Sequence, residues 1–297
     1  SNISSYINIM ENMTEELSPR GPDDLGYWRS DHALLGHRRL AVVDPEGGSQ
    51  PMVRRRGDQT FVIIYNGELY NTAELRDELQ LLGHEFVSNS DTEVLLESYI
   101  EWGTGCADRI NGIYAFGVWN DREKSIFLCR DRFGVKPLFY AQQGDYLIFA
   151  SELKALLRHP LVEPEIDAVG LAEVFALGPS RTPGNGVYKD VYEVEPGFFL
   201  LRDPSGTRKR RYWNFESRPH TDRPERTVET VRELVLDSIQ RQLAADVPVC
   251  TFLSGGLDSS AITAIAARNF KARNQILDTY SIDYVDSERY FKTSSFQ

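Results

Sequence analysis

Ser254-Gly255-Gly256-Leu257-Asp258-Ser259-Ser260 is the stretch that most narrows what this chain can fold into. It joins an apolar run, Val247 to Leu253, to an Ala/Ile-rich run from about Ser259 to Asn269, and a second strand is read as beginning over Thr279 to Tyr284. Strand, loop, helix, strand is the order that begins a parallel sheet. Glycines let the backbone turn tightly and approach a ligand with no Cβ between them. The following helix offers unpaired N–H groups and a partial positive charge, which suits a polyphosphate. Ser254, Ser259 and Ser260 add hydroxyl donors. Asp258 repels a bare phosphate, so its expected task is to hold Mg²⁺ between phosphates. No Gly-Lys-[Ser/Thr] is present, so this is not a Walker A loop and γ-phosphoryl transfer is disfavoured.

Ahead of this loop the pattern differs. A length of 297 residues fits two domains. The first two hundred or so residues read as short strands with single helices between them, an α+β or layered α/β/α body. Ala33-Leu34-Leu35 and Leu40-Ala41-Val42-Val43 read as strands bracketing the polar Gly36-His37-Arg38-Arg39. Phe61 to Tyr65 reads as a strand stopped by the turn dipeptide Asn66-Gly67. The leucine spacing predicts a helix over Thr72 to Leu82, and Ser90 with Glu93 has capping-box spacing ahead of another. Further strands are expected at Ile113 to Trp119, Ser125 to Cys129, Leu138 to Tyr140 and Tyr146 to Phe149. A helix over Asp167 to Leu177 and a strand pair around Pro196-Gly197 follow. Arg, Pro, Ser, Thr and Asp dominate Asp203 to Pro224, which reads as a linker. Beyond it Val228, Val231, Leu234, Val235, Ile239 and Leu243 mark a long amphipathic helix. The runs Arg54-Arg55-Arg56 and Arg208-Lys209-Arg210-Arg211 read as solvated loop faces.

Composition excludes several classes. Apolar residues at 41% and charged residues at 26% argue against wholesale disorder. A net charge of -11 argues against a broad nucleic-acid footprint. The three cysteines, Cys106, Cys129 and Cys250, have no paired spacing, which opposes a disulfide framework or a zinc site and fits a reducing, cytoplasmic setting. Cys129 and Cys250 read as packing thiols in apolar strands. No apolar run reaches the ~20 residues a bilayer span requires. The opening Ser1-Asn2-Ile3-Ser4-Ser5 has neither the basic start nor the apolar core of a signal peptide, nor an initiator Met.

Several short motifs, each compatible with turns and caps when taken alone, occur in a telling order: Arg20-Gly21-Pro22-Asp23, Gly36 to Leu40, Tyr65-Asn66-Gly67-Glu68-Leu69-Tyr70-Asn71, Ser90-Asp91-Thr92-Glu93, Asp131 to Tyr140 and Ala150 to Ala155. With SGGLDSS, the signature of N-type ATP pyrophosphatases, the whole chain resembles the glutamine-hydrolysing asparagine synthetases. The resemblance implies a class II glutaminase, an αββα Ntn-hydrolase sandwich, over residues 1–204. A linker over 205–224 and the start of a parallel-sheet ATP-pyrophosphatase domain, adenine nucleotide α-hydrolase-like, over 225–297 would follow. It further implies that Arg39 pairs with the α-carboxylate of glutamine, that Glu68 and Asp91 hold its α-ammonium, and that the backbone of Leu40 to Val43 lines the pocket. Asn66 and the Gly67 amide would form the oxyanion hole, with Arg20 and Asp23 bracing the site.

In the second domain, residues Leu253 to Ser260 would bind ATP, with adenine contacts on the backbones of Leu253 and Ile282 and Mg²⁺ on Asp258. Glutamine, aspartate and ATP are the implied substrates, with a homodimer as the candidate assembly and no nucleic acid or membrane partner. Ammonia from glutamine would pass through an interior tunnel to attack β-aspartyl-AMP. The family's nucleophile is a Cys heading the mature chain; here Ser1 and Asn2 stand first, and Ser1 occupies the wrong strand position to replace it. The sequence is therefore expected to be truncated at both ends and to lack glutaminase turnover as it stands. Two rival readings share the motifs: a β-lactam synthetase-like or peptide-modifying paralogue, and a non-catalytic glutamine sensor.

Overall fold

Runs such as Phe61 to Tyr65 offer water no polar face, and they form the middle of a sheet covered on both sides. The computed structural model describes residues 3–282 and divides into two compact units between Ser217 and Arg218. The first unit runs α1 (Ile7–Glu15), β1 (Asp24–Arg29), β2 (Leu34–Arg39), β3 (Met52–Arg56), β4 (Gln59–Leu69), α2 (Thr72–Leu81), α3 (Asp91–Trp102), α4 (Cys106–Arg109), β5 (Gly112–Asn120) and β6 (Ser125–Arg130). It continues with β7 (Phe139–Gln143), β8 (Tyr146–Ala150), α5 (Leu153–Leu156), α6 (Ala168–Leu177), β9 (Val191–Glu193), β10 (Phe198–Asp203) and β11 (Gly206–Arg211).

A six-stranded antiparallel sheet, in the order β11-β10-β6-β5-β4-β3, forms its backbone. Side chains alternate faces along each strand. Phe61, Ile63, Tyr65, Phe116, Val118, Phe127 and Phe199 pack with Leu75, Leu79, Leu95 and Tyr99 of α2 and α3. Their neighbours Val62, Ala115, Trp119, Leu128 and Leu200 pack with Ala33, Leu35 and Leu138 on the other side. Two smaller antiparallel sheets, β1-β2 and β8-β7-β9, supply that second layer. Phe139, Ala141, Ile148 and Ala150 turn their outer face to Leu156 of α5 and Met13 of α1. Three apolar clusters thus separate four layers, and the result is the αββα sandwich.

The second unit holds α7 (Pro224–Arg241), β12 (Cys250–Phe252), α8 (Leu257–Ala272) and β13 (Asp278–Tyr280). β12 and β13 pair in parallel with α8 between them in the chain. A Thr263–Thr251 hydroxyl bond of 3.0 Å ties α8 to β12. The strand expected over Thr279 to Tyr284 is observed over Asp278–Tyr280 and does not include Ser281 or Ile282; Ser1, Asn2, Asp283 and Tyr284 lie outside the described residues.

Several sequence expectations need correction. Polar Gly36 to Arg39 is strand β2, whereas apolar Leu40 to Val43 is loop. The reason lies in pairing: β2 zips against β1, and the chain then leaves the sheet where the Ala41 amide donates to Asp23. Asn66-Gly67 is no turn, since β4 continues to Leu69 opposite Ala115 and Tyr114. Gly67 is needed there because a Cβ would collide with the Ile113 carbonyl. The expected capping box is half formed: Ser90 caps α3 through the Thr92 amide, but Glu93 turns to the Val87 and Ser88 amides. The strands flanking Pro196-Gly197 belong to different sheets. Part of the stretch read as linker, Gly206–Arg211, is edge strand β11.

Both basic runs are therefore strands, β3 and β11, one on each edge of the large sheet. Charge on an edge strand opposes pairing with another chain. Cys250, read as a packing thiol, is exposed. Among the described residues no helix is long and apolar enough to cross a membrane.

Candidate active site

Arg39 ends β2, where alternation carries Leu35, His37 and Arg39 to the face opposite Gly36 and its neighbour Thr14 of α1. The residue is only 7% exposed. Nη1 donates to the Pro45 carbonyl at 2.8 Å, and Nη2 to those of Val43 and Asp44 at 2.9 and 2.7 Å. Three of the five N–H donors of an arginine are thus committed to shaping the loop after β2. Asp23 holds the start of the same loop, its amide on the Arg39 carbonyl and its carboxylate under the Ala41 amide. Arg20 instead pairs with Glu152 at 3.1 Å.

Arg39, Leu40, Val43, Asn66, Gly67, Glu68 and Asp91 all line one cavity of about 1130 Å³. The residues expected at the glutamine pocket, Ala41 excepted, line this one cavity, from β2 and its loop, from β4, and from the first turn of α3. The cavity continues past them between the layers to Tyr146 and Phe149 of β8. Asn66 is half-buried and lines this cavity.

The electrostatics of this wall are unusual. Asp91 is buried, which pushes its carboxyl above the ordinary range against the lowering effect of the Leu69 amide and Tyr65 hydroxyl. Burial also raises Glu68, with Lys136 opposing and the Asp91 charge adding to the rise. Two carboxyls held up in this way favour a cation between or beside them. His37 is pushed down to about 4 by burial, with the Arg39 charge adding to the drop, so it is neutral near pH 7. Its Nε2 lies 3.1 Å from the Tyr65 carbonyl and its buried Nδ1 has no partner among the described residues.

The sequence reading missed His37, Gln50, Tyr65 and Lys136 as cavity residues. Lys136 stood inside a quoted motif without a role. Lys136 is placed by the preceding turn, where buried Asp131 accepts the amides of Phe133, Val135 and Lys136, each at 3.0 Å. Cys106 and Cys129 sit in the apolar layer under α2 and α3, and burial raises both thiols far above their ordinary range. No cysteine lines the cavity.

In the second unit the Ser254–Ser260 loop enters the amino end of α8. Gly255 takes a φ of 83°, a conformation that favours glycine. Gly256 is the N-cap and has no side chain to cover the first-turn amides. Ser254 and Ser259 share a hydroxyl bond of 3.0 Å, and the Ser259 hydroxyl also donates to the Gly256 carbonyl at 3.2 Å. The helix begins at Leu257, so Asp258 stands in its first turn. Leu253 donates its amide to the Tyr280 carbonyl at 2.8 Å and accepts from the Ser281 hydroxyl at 2.6 Å, while Ile282 is exposed.

Residues 2–213 match the family model described as a glutamine amidotransferase domain. The chain belongs to the glutamine amidotransferase domain family. Behind that domain, residues 230–295 match the asparagine synthase model. This amidotransferase chain is 54% identical to asparagine synthetase [glutamine-hydrolyzing] 3 of Bacillus subtilis (strain 168), over 97% of the chain and 47% of that protein. It is 36% identical to asparagine synthetase [glutamine-hydrolyzing] 1 of the same organism, over 93% of the chain and 43% of that protein. The chain spans about half the length of these curated relatives. Among solved structures, the glutamine phosphoribosylpyrophosphate amidotransferase of B. subtilis matches with a TM-score of 0.43 at 20% identity, over 87% of the chain and 56% of that one. The resemblance to glutamine-hydrolysing asparagine synthetases, read from the motifs, is thus carried by both family matches and by these relatives.

Proposed function

We propose that this chain supplies the glutamine pocket and the opening of the ATP site of an enzyme that makes asparagine from aspartate, ATP and glutamine. The observation that carries the reading is the convergence of Arg39, Asn66, Gly67, Glu68 and Asp91 on one cavity, in a chain whose second unit opens a helix with Ser254–Ser260. Glu68 and Asp91 take the α-ammonium of glutamine, and the two uncommitted donors of Arg39 take its α-carboxylate. The Asn66 carboxamide and Gly67 amide receive the oxyanion that forms when the side-chain amide is attacked. None of Cys106, Cys129 and Cys250 lines the cavity, so none of them is the thiol that attacks glutamine.

In the second unit the first-turn amides of α8 and the hydroxyls of Ser254, Ser259 and Ser260 take the pyrophosphate end of ATP. Asp258 and these hydroxyls form an all-oxygen donor set, which fits Mg²⁺ arriving with the nucleotide. When bound, that ion neutralises charge building on the pyrophosphate leaving group. Aspartate is adenylated on its side-chain carboxylate, pyrophosphate departs, and ammonia displaces AMP to give asparagine. The assay is asparagine and pyrophosphate formation by the full-length enzyme headed by a Cys. Absence of both, with glutamine and with ammonia, would sink the reading.

A pH dependence follows from the raised carboxyls. Both must be ionised to hold an ammonium, so KM for glutamine should climb as pH falls toward and through values above the ordinary 3.8 of Asp91 and 4.5 of Glu68. The climb approaches ~10-fold per pH unit for each carboxyl. The stability sign is opposite. An acid whose folded pKa is raised opposes folding while ionised, so protonating the pair strengthens the fold as it weakens glutamine binding. Asp91→Asn should reproduce this, with a high KM and no loss of thermal stability, as read by steady-state kinetics beside a melt. A KM unchanged on acidification would remove both residues from the ammonium site.

A further inference from the structure

β3 pairs with β4 only as far as Met52 opposite Ile63. Carried two residues further, that register sets Gln50 against Tyr65, and there a side chain takes over from the backbone. The Tyr65 amide donates to Gln50 Oε1 at 2.6 Å, and Gln50 Nε2 donates to the Tyr65 carbonyl at 3.1 Å. One carboxamide thus makes the donor-acceptor pair that a strand residue would make. Nε2 also lies 3.4 Å from the Thr92 hydroxyl in the first turn of α3. Gln50 is 7% exposed and lines the cavity.

Tyr65 joins both halves of the pocket. Its backbone continues directly into Asn66 and Gly67. Its hydroxyl donates to Asp91 Oδ2 at 3.0 Å, where the Leu69 amide also donates, at 3.1 Å. Neutral His37 faces the same Tyr65 carbonyl from β2 at 3.1 Å. We infer that Gln50 is a positioning residue for glutamine hydrolysis: by gripping both backbone groups of Tyr65, it holds the oxyanion donors at Asn66–Gly67 and the carboxylate of Asp91 in one register. This rests on the glutaminase reading above. It goes further by giving a buried residue outside the substrate-binding set a measurable share in turnover.

The chemistry of the pair makes the test specific. Methionine fills similar space but neither donates nor accepts usefully, leaving the buried Tyr65 amide unpaired and its carbonyl with His37 alone. Glutamate accepts but, when ionised, cannot donate to the Tyr65 carbonyl. Once protonated it presents an O–H and a C=O, the same pair as the carboxamide. Burial near Asp91 raises the pH at which that proton is taken up.

In the full-length enzyme, Gln50→Met should lower glutamine-dependent kcat/KM by roughly 10- to 100-fold while ammonia-dependent synthesis holds. Gln50→Glu should be as poor at about pH 8, and its rate relative to wild type should recover toward about pH 6. Taking the ratio at each pH removes the effect of the Asp91 and Glu68 carboxyls. A ratio that stays flat with pH, or Gln50→Met equal to wild type, overturns the inference while leaving the glutaminase reading in place. A parallel fall in ammonia-dependent synthesis overturns it too, because it would show general loss of fold. Wild-type enzyme that uses ammonia but never glutamine overturns the reading itself, and this inference with it.

Discussion

Arg39→Ala is expected to lower glutamine-dependent kcat/KM by ~10²- to 10³-fold, equivalent to roughly 3–4 kcal/mol of lost transition-state stabilisation. The effect has two sources. The carbonyls of Val43, Asp44 and Pro45 lose their shared donor, so the loop that walls the cavity loses its anchor. The substrate carboxylate also loses the planar fork that would receive it. Arg39→Lys should recover little, because a single ammonium cannot reproduce the spread of a guanidinium across separate acceptors. On the proposed reading, synthesis from free ammonia bypasses this cavity and should be unchanged. Steady-state rates with each nitrogen source give the answer. Equal loss with both would mean that Arg39 serves the fold as a whole and not this pocket.

Asp258→Ala has the complementary signature. It stands in the first turn of α8, on a loop whose glycine N-cap leaves the amides uncovered. Removing its carboxylate withdraws a negative group that the loop offers to a Mg²⁺–nucleotide, an interaction worth several kcal/mol in metal-assisted transfers. Pyrophosphate release should fall ~10²-fold or more with glutamine and ammonia alike, while glutamine hydrolysis by itself persists. Asp258→Asn separates charge from size: it should stay poor, and raising Mg²⁺ should restore only part of the rate. Intact pyrophosphate release in either variant would mean that Asp258 has no part in ATP chemistry.

The two sites differ in how far the sequence exposes them. The phosphate loop is local, so its strand, loop and helix are readable from adjacent residues. Structure shortens the strand from Val247–Leu253 to Cys250–Phe252 and lengthens the helix from about Ser259–Asn269 to Leu257–Ala272. The cavity proposed for glutamine is assembled from segments far apart in the chain, and its members were legible through motif resemblance, not through periodicity. Hydrophobic pattern identified β4 and β5 because alternate residues of both face different apolar layers. The same pattern failed at Leu40 to Val43, where an apolar run forms loop because Arg39 and Asp23 capture its backbone.

Misreading Asn66-Gly67 as a turn has a related cause. Dipeptide preference is a local signal, and pairing with Ala115 and Tyr114 outweighs it. Glu93 matched a capping box by spacing, yet Arg54 of β3 and the Val87 and Ser88 amides hold its carboxylate instead. Burial alone would raise that carboxyl, but the bonds from Ser88, Val87 and Arg54 together hold it below the ordinary range. Gln50 left no sequence signal because its partner is the backbone of another strand, which any residue type would present.

The account stands or falls on whether the amide nitrogen of glutamine, released at the Asn66–Asp91 cavity, is what aspartate receives after activation at the Ser254–Ser260 loop. Full-length enzyme given aspartate, ATP, Mg²⁺ and glutamine labelled with ¹⁵N at the side-chain amide tests this by mass spectrometry of the product. The expected result is labelled asparagine with AMP and pyrophosphate in equal amounts, and no label in the product of Arg39→Ala supplied with unlabelled ammonium. Label transferred to an acceptor other than aspartate, or glutamine hydrolysed with no nitrogen transfer, would contradict it.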